Sequence, residues 1–213
     1  MRSYDEYCAI AKSLDLVGDR WTLLVVRELA LRGPSRYTDL RNGLPGIATN
    51  LLADRLRDLE AAGLVTREEA PPPVATTLFK LTRRGEELRP VLDELMRWGV
   101  PLMFEQKAED AVRSHWLAGA LELMLEGRQA DDGPATLELR IGDEPVVLES
   151  RDGEVNVSLG ETADPDAALV GSERPVLGLL LGYLSLEQSG EEGVEVIGDR
   201  SVVERFVPQP FAR

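Results

Sequence analysis

Apolar residues recur at helical spacing through the first half of the chain and at strand spacing through much of the second. "YCAIAKSLDLVG" and "DRWTLLVVRELALRG" predict two helices, the second starting after Gly18 with Asp19 as its cap and ending at Gly33-Pro34. "SRYTDLRNGL" predicts a short third helix, stopped by Gly43 and Pro45. A fourth is predicted over residues 48–62 and closed by Gly63. "LVTREE" and "TTLFKLT" are β-prone and joined by "APPPVA", a two-stranded ribbon with a stiff tip. "RRGEELRPVLDELMRWGVPLMFEQ" predicts one long amphipathic helix with Leu88, Leu92, Leu95, Met96 and Trp98 on its apolar side, and Pro90 in its first two turns.

The second half changes period. "EDAVRSHWLAGALELMLEG" is helical, and "TLELRIGDEPVVLESRDGEVNVSLGE" then alternates apolar and polar positions around Asp152-Gly153, a strong hairpin turn. "AALVGS" adds a strand, "RPVLGLLLGYLSLEQS" one apolar helix, "GVEVIGD" a last strand and "RSVVERFV" a last helix. The expected class is α+β. Residues 1–106 have the element order of a winged helix-turn-helix domain, and 107–213 that of an antiparallel sheet with helices packed on one face.

Charge sharpens this division. The net charge of −14 lies in the second half: residues 1–107 hold 16 basic and 16 acidic side chains, 108–213 only 8 basic against 22 acidic. Within 32–84 basic residues lead by 9 to 6, enough for a locally positive surface. One cysteine, Cys8, excludes an intrachain disulfide framework. One histidine, His115, leaves little for a catalytic triad or a zinc site, so neither an enzyme nor a cofactor is expected. No apolar run approaches the roughly 18 residues of a membrane span, and the N-terminus lacks a signal-peptide core, so no membrane insertion and a cytoplasmic location are expected.

The fourth helix carries the candidate chemistry. On a wheel, Ala48, Leu52, Leu56 and Leu59 share the core side, and Asn50, Ala53, Asp54 and Arg57 lie opposite, with Thr49 at the flank. One reading is a solvated face laced by Asp54 with Arg57 and Arg55 with Asp58. The other is base recognition, for which the first turns are small, polar and uncrowded by acids: Thr49, Asn50 and Ala53 meet that demand, and Arg57 reaches guanine or the backbone. In "LTRRGEEL", Thr82 is an N-cap, while Arg83 and Arg84 occupy a first turn where the helix dipole prefers acids. A phosphate would offset that mismatch, as would Glu86 and Glu87. Arg36 is a further candidate for a phosphate contact.

Residues 7 to about 104 resemble the HxlR-type winged-helix transcription regulators of bacteria. The resemblance is carried by the early Cys8, "GDRWTLLVVREL", "LPGIATNLLADRL" and "LTRRGEEL". It implies a homodimer on double-stranded DNA with a roughly palindromic operator, and dimer contacts from the first and last helices of the domain. For the Cys8 position it implies a redox-sensing thiolate, which the nearby Asp5 and Glu6 would disfavour by raising the thiol pKa; the other reading of Cys8 is a small buried core residue. The family's wing tip usually carries a basic residue, whereas this chain has "APPPVATT", leaving Arg67 and Lys80 to meet phosphates from the strands.

Residues from about 110 to 210 resemble sterol-carrier-protein-like domains, through their strand pairs, "ADPDA", the apolar helix and "GVEVIGD". That resemblance implies a curved sheet and helices around an apolar cavity, hence a hydrophobic small-molecule effector. The chain is thus expected to be a sequence-specific DNA-binding regulator. The alternative is a lipid-binding or carrier protein whose winged helix mediates only protein association.

Overall fold

The computed structural model describes residues 3–70, 76–103, 110–125 and 133–207. They divide into two units, Met1–Met96 and Arg97–Arg213.

In the first unit the order is α1 (Ala9–Val17), α2 (Thr22–Arg32), β1 (Ser35–Arg36), α3 (Tyr37–Asn42), α4 (Thr49–Ala61), β2 (Val65–Glu69), β3 (Thr77–Leu81), α5 (Arg83–Glu86) and α6 (Arg89–Met103), the last crossing the unit boundary. Val25, Val26 and Leu29 of α2, Leu40 of α3, and Leu52, Leu56 and Leu59 of α4 share one core with Phe79 and Leu81 of β3. The i, i+4, i+7 spacing on α4 places its three leucines on one side. Gly63 closes α4 at φ 68°, with Leu64 N–H donating to Leu59 O at 2.9 Å and Gly63 N–H to Glu60 O at 3.0 Å. That pair of bonds satisfies carbonyls the helix would otherwise leave bare.

Five expectations change. Asp19 does not cap α2, whose N-cap is Trp21; its carboxylate is drawn instead to the guanidinium of Arg55. The ribbon is a three-stranded sheet, β1-β3-β2, because Ser35 and Arg36 pair with Phe79 and Leu78. Ala48 is exposed, since the helix begins one residue later and Ala48 has an extended conformation, and Ile47 takes the buried place. The long closing helix is two helices: Pro90 has no N–H to continue the ladder to Glu86, so α5 ends after one turn and Pro90 becomes the second residue of α6. On α6, Leu88 just before it and Leu92 pack on the core, but Leu95 and Trp98 are exposed, Trp98 by 73%. The tip of the ribbon, residues 71–75, lies outside the described residues.

The second unit contains α7 (Ser114–Leu125), β4 (Ala135–Arg140), β5 (Val146–Arg151), β6 (Glu154–Leu159), β7 (Ala167–Val170), α8 (Glu173–Leu180), α9 (Leu186–Glu191), β8 (Glu195–Gly198) and α10 (Arg200–Phe206). The sheet order is β6-β5-β4-β7-β8. Asp152 and Gly153 take φ of 53° and 84° between the paired Arg151 and Glu154, the two-residue turn whose twist suits a hairpin.

The sheet is mixed rather than antiparallel, because the chain crosses from β6 to the far side of β4 and β7 runs parallel to it. Asp166 pins that crossover: its carboxylate accepts from Thr136 N–H at 2.8 Å, and its own N–H donates to Thr136 O at 3.0 Å. The single apolar helix expected after Arg174 is likewise divided, α8 ending before Gly182 at φ 77°. Leu137, Leu139, Val146, Leu148 and Leu169 project from one sheet face into a core with α7, α8 and α10.

Candidate nucleic-acid interface

A six-residue turn links α3 to α4, and Leu44 and Ile47 within it are buried. The Tyr37 hydroxyl donates to Thr49 O at 2.5 Å, fixing the start of α4 against α3. Leu52, Leu56 and Leu59 bury one side of α4, so the opposite side must face outward: Thr49, Asn50 and Arg57 are exposed and Ala53 is half-buried. Ala48 supplies no side-chain cap and the first turn holds no acid. The leading N–H groups of this helix therefore have no capping side chain, and the positive end of its dipole is not neutralised locally, an arrangement suited to an anion.

The basic candidates separate by what holds them. Arg57 pairs with Asp54, three residues earlier, with both side chains largely exposed. Arg67 forms two bonds to Glu60, 2.7 and 2.6 Å, and lies 5.2 Å over the Phe79 ring. The hydrogen bonds and charge of Glu60 raise its pKa further above the usual arginine range. Lys80 pairs with Glu68 on the neighbouring strand. By contrast, Arg36, Arg41 and Arg83 are exposed and enter no ion pair among the described residues.

Thr82 caps α5, accepting from Gly85 N–H at 3.1 Å while donating to Gly63 O at 2.7 Å. Arg84 donates to Ala62 O at 3.5 Å, at the end of α4. Glu86, which the sequence offers as a neutralising partner for Arg83 and Arg84, pairs with Arg89 instead. Arg41 and Tyr37 are absent from the sequence-based set. Their signal was slight: a cation in the last turn of a short helix, and a tyrosine where only an apolar ring was needed. Cys8, at the N-cap of α1, is exposed, which removes the buried-core reading.

The model of the HxlR-like helix-turn-helix family matches residues 16–107, from the end of α1 through α6. An HTH-type transcriptional regulator of Synechocystis sp. is 35% identical over 102 residues, covering 48% of this chain and 75% of that protein. This chain belongs to the HxlR-like helix-turn-helix family. The HTH-type transcriptional regulator YkvN of Bacillus subtilis is 37% identical over 95 residues, 43% of this chain and 77% of its own. The reduced form of the transcriptional regulator YodB from B. subtilis is 28% identical, covers 50% of this chain and 100% of that chain, and has a TM-score of 0.39. This HxlR-like protein is a DNA-binding transcriptional regulator, and its relatives are regulators rather than enzymes. Among the described residues no helix is long and apolar enough to cross a membrane.

In the second unit, an open groove of about 630 Å³ lies where β4 begins and β5 ends. It is lined by Ala135, Thr136, Ser150, Arg151, Asp152 and Asp166 among others, a mixed polar and apolar set that shares Ala135 with the leucine-rich core. His115 is buried, its ring 5.7 Å from that of Trp116 in an edge-on contact. Among the described residues no group of His, Cys, Asp and Glu is arranged to hold a metal.

Proposed function

We propose that this regulator acts as a homodimer on a roughly palindromic operator, residues 1–106 binding DNA and dimerising and residues 107–213 controlling them through a hydrophobic ligand. The observation that carries the DNA-reading assignment is the uncapped, acid-free first turn of α4, preceded in sequence by Arg36 and Arg41, which enter no ion pair among the described residues. In this reading Thr49, Asn50 and Ala53 meet base edges and Arg57 exchanges Asp54 for guanine or phosphate. Arg36, Arg41, Arg83 and Arg84 supply phosphate contacts; Arg67 and Lys80 contribute less, since each must first give up a carboxylate.

Dimerisation is supported by apolar side chains left in water: Tyr7 just before α1, Ile10 and Leu14 on it, and Val91, Leu95 and Trp98 on α6. A two-fold protein calls for a two-fold operator. Ligand control is supported by the resemblance of the second half of the sequence to sterol-carrier-like domains and by the apolar core that the five-stranded sheet shares with α7, α8 and α10, including the buried Val176, Leu177, Leu179, Leu180 run on α8. Cys8, exposed beside Tyr7, is a candidate redox sensor at the proposed dimer surface.

Selection of duplexes from a random pool, with and without long-chain fatty acids or sterols, tests the whole reading. Enrichment of a palindrome whose occupancy shifts with an apolar ligand is expected. Enrichment of unrelated sequences would refute operator recognition. A palindrome indifferent to every ligand, together with no lipid-dependent gain in thermal stability, would refute the ligand control alone.

A further inference from the structure

Glu28 is fully buried on α2, although its neighbours Val25, Val26 and Leu29 make an apolar core. A buried carboxylate persists only where it is paired, and removing its setting is costly. Arg27 donates to Oε1 from Nε at 3.2 Å and from Nη2 at 2.8 Å, and the Arg32 Nε lies 3.9 Å from Oε2. Oε2 is directed at Gly43, the residue that ends α3 and begins the turn to α4. Gly43 has φ −76° and ψ −5°, a conformation open to any residue, so backbone freedom does not call for glycine here. Space does. A Cβ at position 43 would overlap Oε2 and lie 2.8 Å from the Glu28 Cδ.

We infer that Glu28 is a positioning residue for DNA reading: its clamped carboxylate sets how closely the turn approaches α2, and through the turn sets where Thr49 and Asn50 are presented. A long side chain would ordinarily swing away from a new methyl group. This one is enclosed, with Arg27 and Arg32 holding its two oxygens, so moving it disrupts the pairing or pushes out the turn. Tyr37, bonded to Thr49 O, then transmits any displacement of α3 to the first residue of α4. The inference rests on the DNA-binding reading of α4.

The test uses the full chain and the duplex that wild-type protein enriches from a random pool, with a scrambled duplex as the non-specific probe. Gly43→Ala should lower the ratio of enriched to scrambled affinity at least tenfold, while binding to the scrambled duplex stays within about twofold. Adding Glu28→Asp, which draws the carboxylate back by about one C–C bond length of 1.5 Å, should restore most of the ratio. A purely structural role would instead move thermal stability and both affinities together, with no such rescue.

An unchanged ratio in Gly43→Ala, or a loss that Glu28→Asp fails to relieve, would overturn the inference. If Gly43→Ala does not fold, Glu28→Gln decides alone, a tenfold fall in ratio supporting positioning and a wild-type ratio refuting it. Wild-type protein that enriches no duplex removes the operator reading first and this inference with it, a failure visible before any variant is made.

Discussion

Salt dependence of DNA binding follows directly from which cations lack acidic partners. Arg36, Arg41, Arg83 and Arg84 have no ion-pair partner among the described residues, whereas Arg67 and Lys80 are already paired with Glu60 and Glu68. Each phosphate neutralised on duplex DNA contributes roughly −0.9 to the slope of log K against log salt, so the four proposed contacts per protomer give the proposed dimer a slope of about −7. Raising salt from about 0.1 to 0.3 M should then weaken binding about 2000-fold. Fluorescence anisotropy with a labelled duplex measures this across a salt series. Replacing Arg83 and Arg84 by alanine removes four contacts per dimer and should flatten the slope to about −4. Replacing Arg67 together with Glu60 removes a pair that is neutral already and should leave the slope unchanged. A wild-type slope shallower than about −2, or equal flattening in the two double variants, would refute the division of the cations.

Asn50→Ala should cost about 1–3 kcal/mol on the selected duplex with little change on scrambled DNA, as competition titrations would show; equal losses on both would assign Asn50 to the backbone. Leu56→Ala, at a 1% exposed site on α4, should lower unfolding free energy by about 2–5 kcal/mol in urea titrations. Asp143 accepts the Ser114 N–H at 2.9 Å at the start of α7, and this bond, aided by the Ser114 hydroxyl and Arg113, holds its carboxyl below the usual range despite some desolvation. A lowered folded pKa means the contribution is present above about pH 4 and fades as pH falls through the folded value. Thermal melting of Asp143→Ala should therefore show a deficit at pH 7 that narrows below pH 4, and a pH-independent deficit would contradict the assignment. Finally, diamide should weaken DNA binding by the wild-type protein and not by Cys8→Ser; identical responses would dismiss Cys8 as the sensor.

Much of the first unit was legible because its signals are local. The leucine spacing on α4 and the Gly63 stop each depend on residues within a few positions, as does the Thr82 cap, and in the second unit the same is true of the Asp152-Gly153 turn. β1 was not legible, since two residues carry no alternation and become a strand only by pairing with Phe79 and Leu78. The same holds for the parallel placement of β7, which depends on where the crossover lands rather than on the strand itself. Among the DNA-binding candidates, the sequence grouped Arg67 and Lys80 with Arg83 and Arg84 by charge alone. Their separation depends on Glu60, seven residues from Arg67, and Glu68, twelve from Lys80.

By itself the sequence determined the helical framework, the outward polar face of α4 and the uneven charge of the two halves, all properties of residue type and spacing. Tertiary structure alone decided which cations remain unpaired among the described residues, that Cys8, Leu95 and Trp98 are exposed, and that Glu28 lies buried against Gly43. The reason is that burial and pairing belong to contacts between elements. In the one-dimensional pattern a glutamate flanked by arginines looks the same whether it faces water or the turn before α4.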